Sequence, residues 1–194
     1  MEKYSALELL FETGLRHLYN SEKETLRNLK ILQEYAATST LTEAFFLHSK
    51  ETEAQIERLN TIFKHLKIDI HSNKIQGIPG LANKTKEFLK SVVDFNFTDR
   101  SKGMEGIIQE GNELLRHFSK TDVIDLALVD AAQKVEQFEI GCYKFLILCA
   151  NYYKEKEVVE LLRTSLNEEE QMAEKLLQIA QKEIVHPPLP AKHA

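Results

Sequence analysis

Along most of this chain apolar residues recur at the spacing of one helical face, the signature of amphipathic helices rather than strands. The pattern predicts a first helix over about Ser5 to Ala37. The run TSTLTEAF interrupts it, and Ser39 or Thr40 there can cap a second helix reaching about Leu66. A third, shorter helix is expected from Lys102 to Phe118. SKTD then caps a fourth, Asp122 to about Tyr153, and a fifth runs from about Lys156 to Lys182. Between Lys67 and Ser101 the periodicity breaks. Gly77, Pro79 and Gly80 cluster there, a short helix is expected near Lys84 to Val92, and DFNFTDRSKG reads as turn-like. From residue 183 onward EIVHPPLPAKHA reads as a disordered tail. The fold class that follows is all-α: one domain over residues 1–182, an antiparallel four-helix bundle with one or two additional short helices.

The apolar faces carry an anomaly. On a wheel of about 100° per residue, Phe11, Leu15, Leu18, Leu26 and Leu29 define the first face, and Glu22 stands at its centre. Leu41, Phe45, Ile56, Leu59, Phe63 and Leu66 define the second, centred on His48, with Gln55 nearby and Glu51 at the edge. The fourth face, Leu128, Ala132, Val135, Cys142, Leu146 and Ala150, is centred on Glu139, with Tyr143 beside it and Glu136 at the edge. The fifth, Val158, Leu162, Ala173, Leu176 and Ala180, is centred on Glu169. The third helix serves as a control. Met104, Ile107, Gly111, Leu114 and Phe118 make its face, and Glu105 and Glu110 lie off it.

A buried, unpaired carboxylate costs several kcal/mol or neutralises by a raised pKa, so four such positions suggest a shared, cation-compensated centre. Pairs at i and i+3, His48 with Glu51 and Glu136 with Glu139, project one turn apart on one face and could serve two ions together. The candidate metal ligands are therefore Glu22, His48, Glu51, Glu136, Glu139 and Glu169. His48 is the one imidazole expected in the core. Glu22 and Glu139, central on their faces, are the candidates to bridge two ions. Each position also has a blander reading: a hydrogen-bonded core histidine, or acids paired with Arg16, Arg27 or Arg58. Tyr19 and Tyr143 read as core residues whose hydroxyls bond a carboxylate.

Charge and composition narrow the partners. Net charge is −5, from 25 basic and 30 acidic residues with the signs interspersed, which leaves no basic stripe for nucleic acid or an anionic membrane. The apolar run from Phe145 to Ala150 is too short to span a bilayer, and MEKYSALELLFETG lacks the form of a signal peptide. Cys142 and Cys149 sit about 10 Å apart along one helix, too far for a bridge, as expected of small core residues in a reducing cytoplasm.

The segments LYNSEKETL, HSKETEAQIERL, MEGIIQEGNELL, AAQKVEQFEIGCY and SLNEEEQMAEKL, in this order, resemble the YciE/YciF family of bacterial ferritin-like proteins. The resemblance extends from about Leu18 to Ala180, and QFEIGCY and NEEEQMA lean toward the YciE branch. It implies a ferritin-like bundle, a homodimer and a link to bacterial stress response, and it supplies no activity. Its acidic positions fall on Glu22, His48 with Glu51, Glu136 with Glu139, and Glu168 with Glu169. Two departures stand out. The usual di-iron pattern has Glu-x-x-His on two helices; here the second helix reads His48-x-x-Glu51 and the last has Ala173 four residues after Glu169. Gln137 stands where many relatives carry His, but its wheel position points outward.

Three functions compete at this point: a centre of two iron or manganese ions with oxygen, peroxide or iron chemistry and no organic cofactor; a degenerate, metal-free ferritin-like scaffold acting through protein–protein contacts or assembly; and a plain helical interaction module. For the homodimer, the aromatic stretch Phe88 to Phe97 is the expected interface.

Overall fold

The computed structural model describes residues 6–70, 72 and 101–185. Five helices account for most of them: α1 Ala6–Tyr35, α2 Ser39–His65, α3 Lys102–Phe118, α4 Ile124–Tyr152 and α5 Lys156–Ile179. A single π-helical turn, Ala180–Ile184, extends α5. Among the described residues there is no strand. The expected short helix near Lys84 to Val92, the interface at Phe88 to Phe97 and the tail from residue 186 lie outside the described residues.

Helix ends follow local chemistry more than the expected caps. The second helix begins at Ser39, with Thr38 as its N-cap and no side-chain bond from that residue. The fourth begins at Ile124, two residues later than SKTD suggested. The entry to α2 is held from afar instead. The buried Asp125 carboxylate accepts from the backbone N–H of Ala37 at 2.6 Å and of Thr38 at 2.9 Å. Helix α3 does cap itself, because the Ser101 hydroxyl accepts from the Met104 amide. At the far ends of α2 and α4, Lys67 and Lys154 take positive φ of 57° and 61°. In each case the next amide reaches back five residues, Ile68 to Phe63 at 2.9 Å and Glu155 to Ala150 at 3.0 Å. That is a Schellman closure, usually made with Gly.

The four long helices form a ring in which α1 packs on α2 and α4, and α5 packs on α2 and α4. Every neighbouring pair is antiparallel. Tyr19 meets Phe63 while Gln33 meets the Phe45 carbonyl. Tyr143 meets Glu22 while Thr25 meets Glu139. Across α2 and α5, His65 meets Glu155 and Arg58 meets Ser165. The diagonal helices α2 and α4 therefore run parallel, and the chain must travel the bundle's length between them. One long crossover of this kind is the connectivity of ferritin-like bundles.

Helix α3 lies on the outside of α4 and touches α1 at its edge. It is packing, as the absence of a mid-face acid predicted. Its buried residues are Met104 and Leu115, however, not Leu114 and Phe118. A 17-residue helix supported mainly by α4 buries only the residues its neighbours can cover. The apolar interior falls into two clusters. One, around Phe11, Leu15, Leu59, Phe63, Leu146 and Leu162, fills the end where α2 and α4 finish. The other, around Leu29, Phe45, Leu128, Met172 and Leu176, fills the opposite end. Between them lies a polar layer.

Asp125→Ala should leave two amides of the α1–α2 turn without their acceptor. A loss of about 1.5–3 kcal/mol is expected, seen in thermal denaturation as a drop of roughly 2–4 °C per kcal/mol for a chain of this size.

Candidate metal centre

The polar layer is where four helices each contribute an ionisable residue at one height. Glu22 from α1, His48 from α2, Glu136 and Glu139 from α4, and Glu169 from α5 are all at most 1% exposed. Their ligand atoms fall into two groups: His48, Glu136 and Glu169 form one, and Glu22, Glu139 and Glu169 the other. Within each group one ligand atom per residue lies within 4.8 Å of the others. Glu169 belongs to both. The wheels favoured Glu22 or Glu139 as the shared carboxylate. All three are central on their faces, but the wheel carries no information about height along the bundle, and Glu169 lies between the two groups.

The sixth predicted residue, Glu51, stands apart from both groups. Its Oε2 is buried 3.6 Å from His48 Nδ1, while its side chain is 40% exposed. The other imidazole nitrogen, Nε2, faces the carboxylates, 3.1 Å from Glu136 Oε1 and 3.9 Å from Glu169 Oε2. Glu51 thus stands behind the imidazole at ion-pair distance, longer than a hydrogen bond, on the side where a carboxylate commonly backs a histidine ligand.

Two hydroxyls point into the layer. Tyr143 donates to Glu22 Oε1 at 2.5 Å, and Thr25 donates to Glu139 Oε1 at 2.9 Å. Tyr143 behaves as expected. Tyr19 does not: it packs edge-on against Phe63, with the Lys23 ammonium 5.2 Å from its ring centre. Thr25 was missed by the sequence reading. The signal was available, since Thr25 follows Glu22 by three residues and so shares its face.

The arginines proposed as partners for the buried acids are engaged elsewhere. Arg58 grips Glu168 with both terminal nitrogens, at 2.8 and 2.5 Å, and donates to Ser165 at 2.7 Å. Arg16 pairs with Glu12, and Arg27 with Glu24. Glu168 is therefore a structural acid on the α2–α5 seam. Gln137 is exposed and Ala173 buried, as the wheels required. His65 pairs with Glu155 at the bundle's end, so His48 is the one imidazole of the centre among the described residues. Both cysteines are unbridged.

Electrostatics in the layer follow from five ionisable groups with one base among them. Burial, then the neighbouring Glu22 and Glu136, holds the Glu139 carboxyl well above its usual range. Burial and Glu136 do the same to Glu169. Burial raises Glu22 to about 7, against the opposing pull of the Tyr143 hydroxyl. For His48, burial alone would lower the pKa. The Glu136 charge, contacts with Glu136 and Glu51, and the Glu139 charge outweigh it and raise the ring to about 10. The protonated ring in turn outweighs burial at Glu136 and holds that carboxyl below its usual value. The layer thus holds a Glu136–His48 ion pair beside three carboxyls, Glu22, Glu139 and Glu169, whose hold on a proton is strengthened.

The donor set fits hard divalent cations. One oxygen each of Glu22, Glu136 and Glu139, and both oxygens of Glu169, are buried and lack a hydrogen-bond partner. Oxygen-rich sites with a single imidazole suit iron or manganese better than copper or zinc, which favour more nitrogen or sulfur.

Fold and site together define a four-helix bundle with a carboxylate and imidazole centre. Comparison with known proteins identifies the group. The chain belongs to the family described as Domain of unknown function (DUF892), which matches residues 6–99 and 92–186. It is 31% identical to Protein YciF of Escherichia coli strain K12 over 175 residues, 90% of each chain. The crystal structure of the E. coli stress protein YciF superposes with a TM-score of 0.69, covering 91% of this chain and 96% of that one. YcfI from Rhodopseudomonas palustris, 29% identical, superposes at 0.72 and covers 92% and 97%. The YciE/YciF resemblance is thereby established at the level of the family; the leaning toward YciE rests on the motifs alone.

The metal-free protein should lose stability as pH rises. Glu22, raised from 4.5 to about 7, keeps a proton when folded that the unfolded chain releases, so its contribution falls across that interval. The His48 contribution is full below 6.5 and is lost as pH rises through about 10. Glu136, held low, sets the acid limit instead. In chelator, the melting temperature should peak at mildly acid pH and decline steadily toward alkaline pH. A melting temperature that rises between pH 5 and 8 would contradict this, at about the unfolded values of these groups.

Proposed function

We propose that this protein is a ferritin-like di-metal carboxylate protein, holding two iron or manganese ions in the polar layer. The observation that supports it best is the pair of ligand groups sharing Glu169, with five buried carboxylate oxygens left unbonded. His48, Glu136 and Glu169 would hold one ion, and Glu22, Glu139 and Glu169 the other. Bound there, such ions supply redox chemistry toward dioxygen or peroxide. The chain's own part is to exclude water with the two apolar clusters, orient His48 through Glu51, and give up the ligands' protons to solvent as an ion enters. A role in bacterial stress response, as for the E. coli relative, belongs to the same proposal, as does a cytoplasmic location. Among the described residues no helix is long and apolar enough to cross a membrane.

A metal-free scaffold is the second reading. The Glu136–His48 pair and proton sharing among the other acids let the layer persist without an ion. The two readings part in one experiment. Purified without chelator, the protein should contain iron or manganese by elemental analysis. Added iron(II) or manganese(II) under anaerobic conditions should raise the melting temperature, by about 2.7 kcal/mol of stabilisation at a hundredfold excess over Kd. Glu139→Ala should abolish that shift, and Glu105→Ala on α3 should keep it. No metal and no shift would leave the scaffold reading.

We also propose a homodimer. Leu10, Phe145, Leu148 and Tyr152 form an exposed apolar stripe on the outer α1–α4 face, Tyr152 being 71% exposed. Such stripes commonly mark association surfaces. Light scattering should give a mass twice 22.4 kDa at micromolar concentration, and a value of 22.4 kDa would overturn the dimer.

A further inference from the structure

The α2–α5 seam has an open stretch. Leu47, Lys50 and Glu51 of α2 and Gln171, Met172 and Lys175 of α5 line a surface groove of ≈ 350 Å³. Further along the same seam, the Arg58–Glu168 fork closes it. At the height of the layer the α1–α4 seam is bridged by Tyr143 with Glu22 and Thr25 with Glu139, and the α4–α5 seam by Lys144 with Glu170 at 2.8 Å.

Two groove residues connect it with the ligands. Glu51 is one helical turn from His48, and Met172 one turn from Glu169. Glu51 faces both ways, with Oε2 buried behind the imidazole and much of the side chain in the groove. Among the six predicted site residues it alone is substantially exposed. A glutamate on the rim of a helix can swing outward through its own rotamers with no backbone movement.

We propose that this groove is the entrance through which small ligands reach the centre, and that Glu51 is its movable door. The groove's chemistry selects the ligand class. Lys50 is paired with Glu53 at 3.0 Å and Lys175 faces Glu51 across the groove, so the charges balance and nothing there draws in a bare divalent cation. A small neutral or anionic molecule, of the size of peroxide or dioxygen, is not repelled. Met172 adds an apolar, polarisable floor. The inference rests on the di-metal reading for what lies beyond the door, but the groove can be tested without metal.

The first measurement uses metal-free protein and dilute hydrogen peroxide, with sulfoxide formation at Met172 and Met104 followed by mass spectrometry. Gln171→Trp fills the groove, and should slow oxidation of Met172 roughly tenfold while Met104 is unchanged. Lys175→Ala, which keeps the groove open, should leave the Met172 rate within about twofold. The second uses the full chain loaded with cobalt(II) and sodium azide as the probe. Azide should alter the visible spectrum. Glu51→Ala should speed its association, Gln171→Trp should slow it, and Lys175→Glu should weaken it, each by roughly tenfold. Unchanged azide kinetics in both Glu51→Ala and Gln171→Trp would overturn the entrance. So would Met172 oxidation indifferent to Gln171→Trp. Failure of cobalt to bind would instead remove the di-metal reading, and the Met172 rates would still decide whether the groove admits peroxide.

Discussion

Five ionisable side chains occupy a layer that water does not reach, and a single one of them is basic. That imbalance is the constraint on which the rest of the molecule turns. A carboxylate so placed must be paired, protonated or held by a cation, because its desolvation is not otherwise offset. His48 settles the account for Glu136 and for nothing else. The remaining acids are left with raised pKa values and unbonded oxygens. The arginines that could have relieved them are committed to Glu12, Glu24 and Glu168. Sparing the centre its counter-charges is a costly arrangement for a scaffold and an economical one for a site that binds cations.

The surrounding architecture serves that layer. Apolar clusters close it from both ends, and antiparallel neighbours bring mid-helix residues to one height. Long helices matter here. A residue at the middle of a helix of 24 to 30 residues is insulated from the frayed ends by several turns. Schellman closures at Lys67 and Lys154 and the Asp125 clasp on the α1–α2 turn then fix where α1, α2 and α4 stop. The register that aligns Glu22 with Glu139 and His48 with Glu169 depends on those stops.

Much of this was legible in the sequence, because periodicity reports faces directly. The helices, the bundle, the control role of α3 and the convergence of Glu22, His48, Glu136, Glu139 and Glu169 all follow from angular position. What periodicity omits is height and distance. It could not tell that Glu169 rather than Glu22 or Glu139 is shared, since all three are equally central. Glu51 was correctly put at a face edge, yet its place behind His48 depends on the neighbouring helix. The Asp125 contact joins residues 88 apart, and no local cap signal points to it. Thr25 was readable from its spacing to Glu22, but a hydroxyl on an inner face draws less notice than a charge.

The crossover has a consequence for how the molecule comes together. It divides the chain into two hairpins, α1 with α2 and α4 with α5, each of which holds an incomplete set of ligands. Glu22 and His48 sit on the first; Glu136, Glu139 and Glu169 sit on the second. Neither hairpin can assemble either ligand group alone. An ion in the layer would therefore act as a rivet between two halves that meet late and far apart in sequence. Losing the ion would loosen the seam between the halves before it unwound any helix.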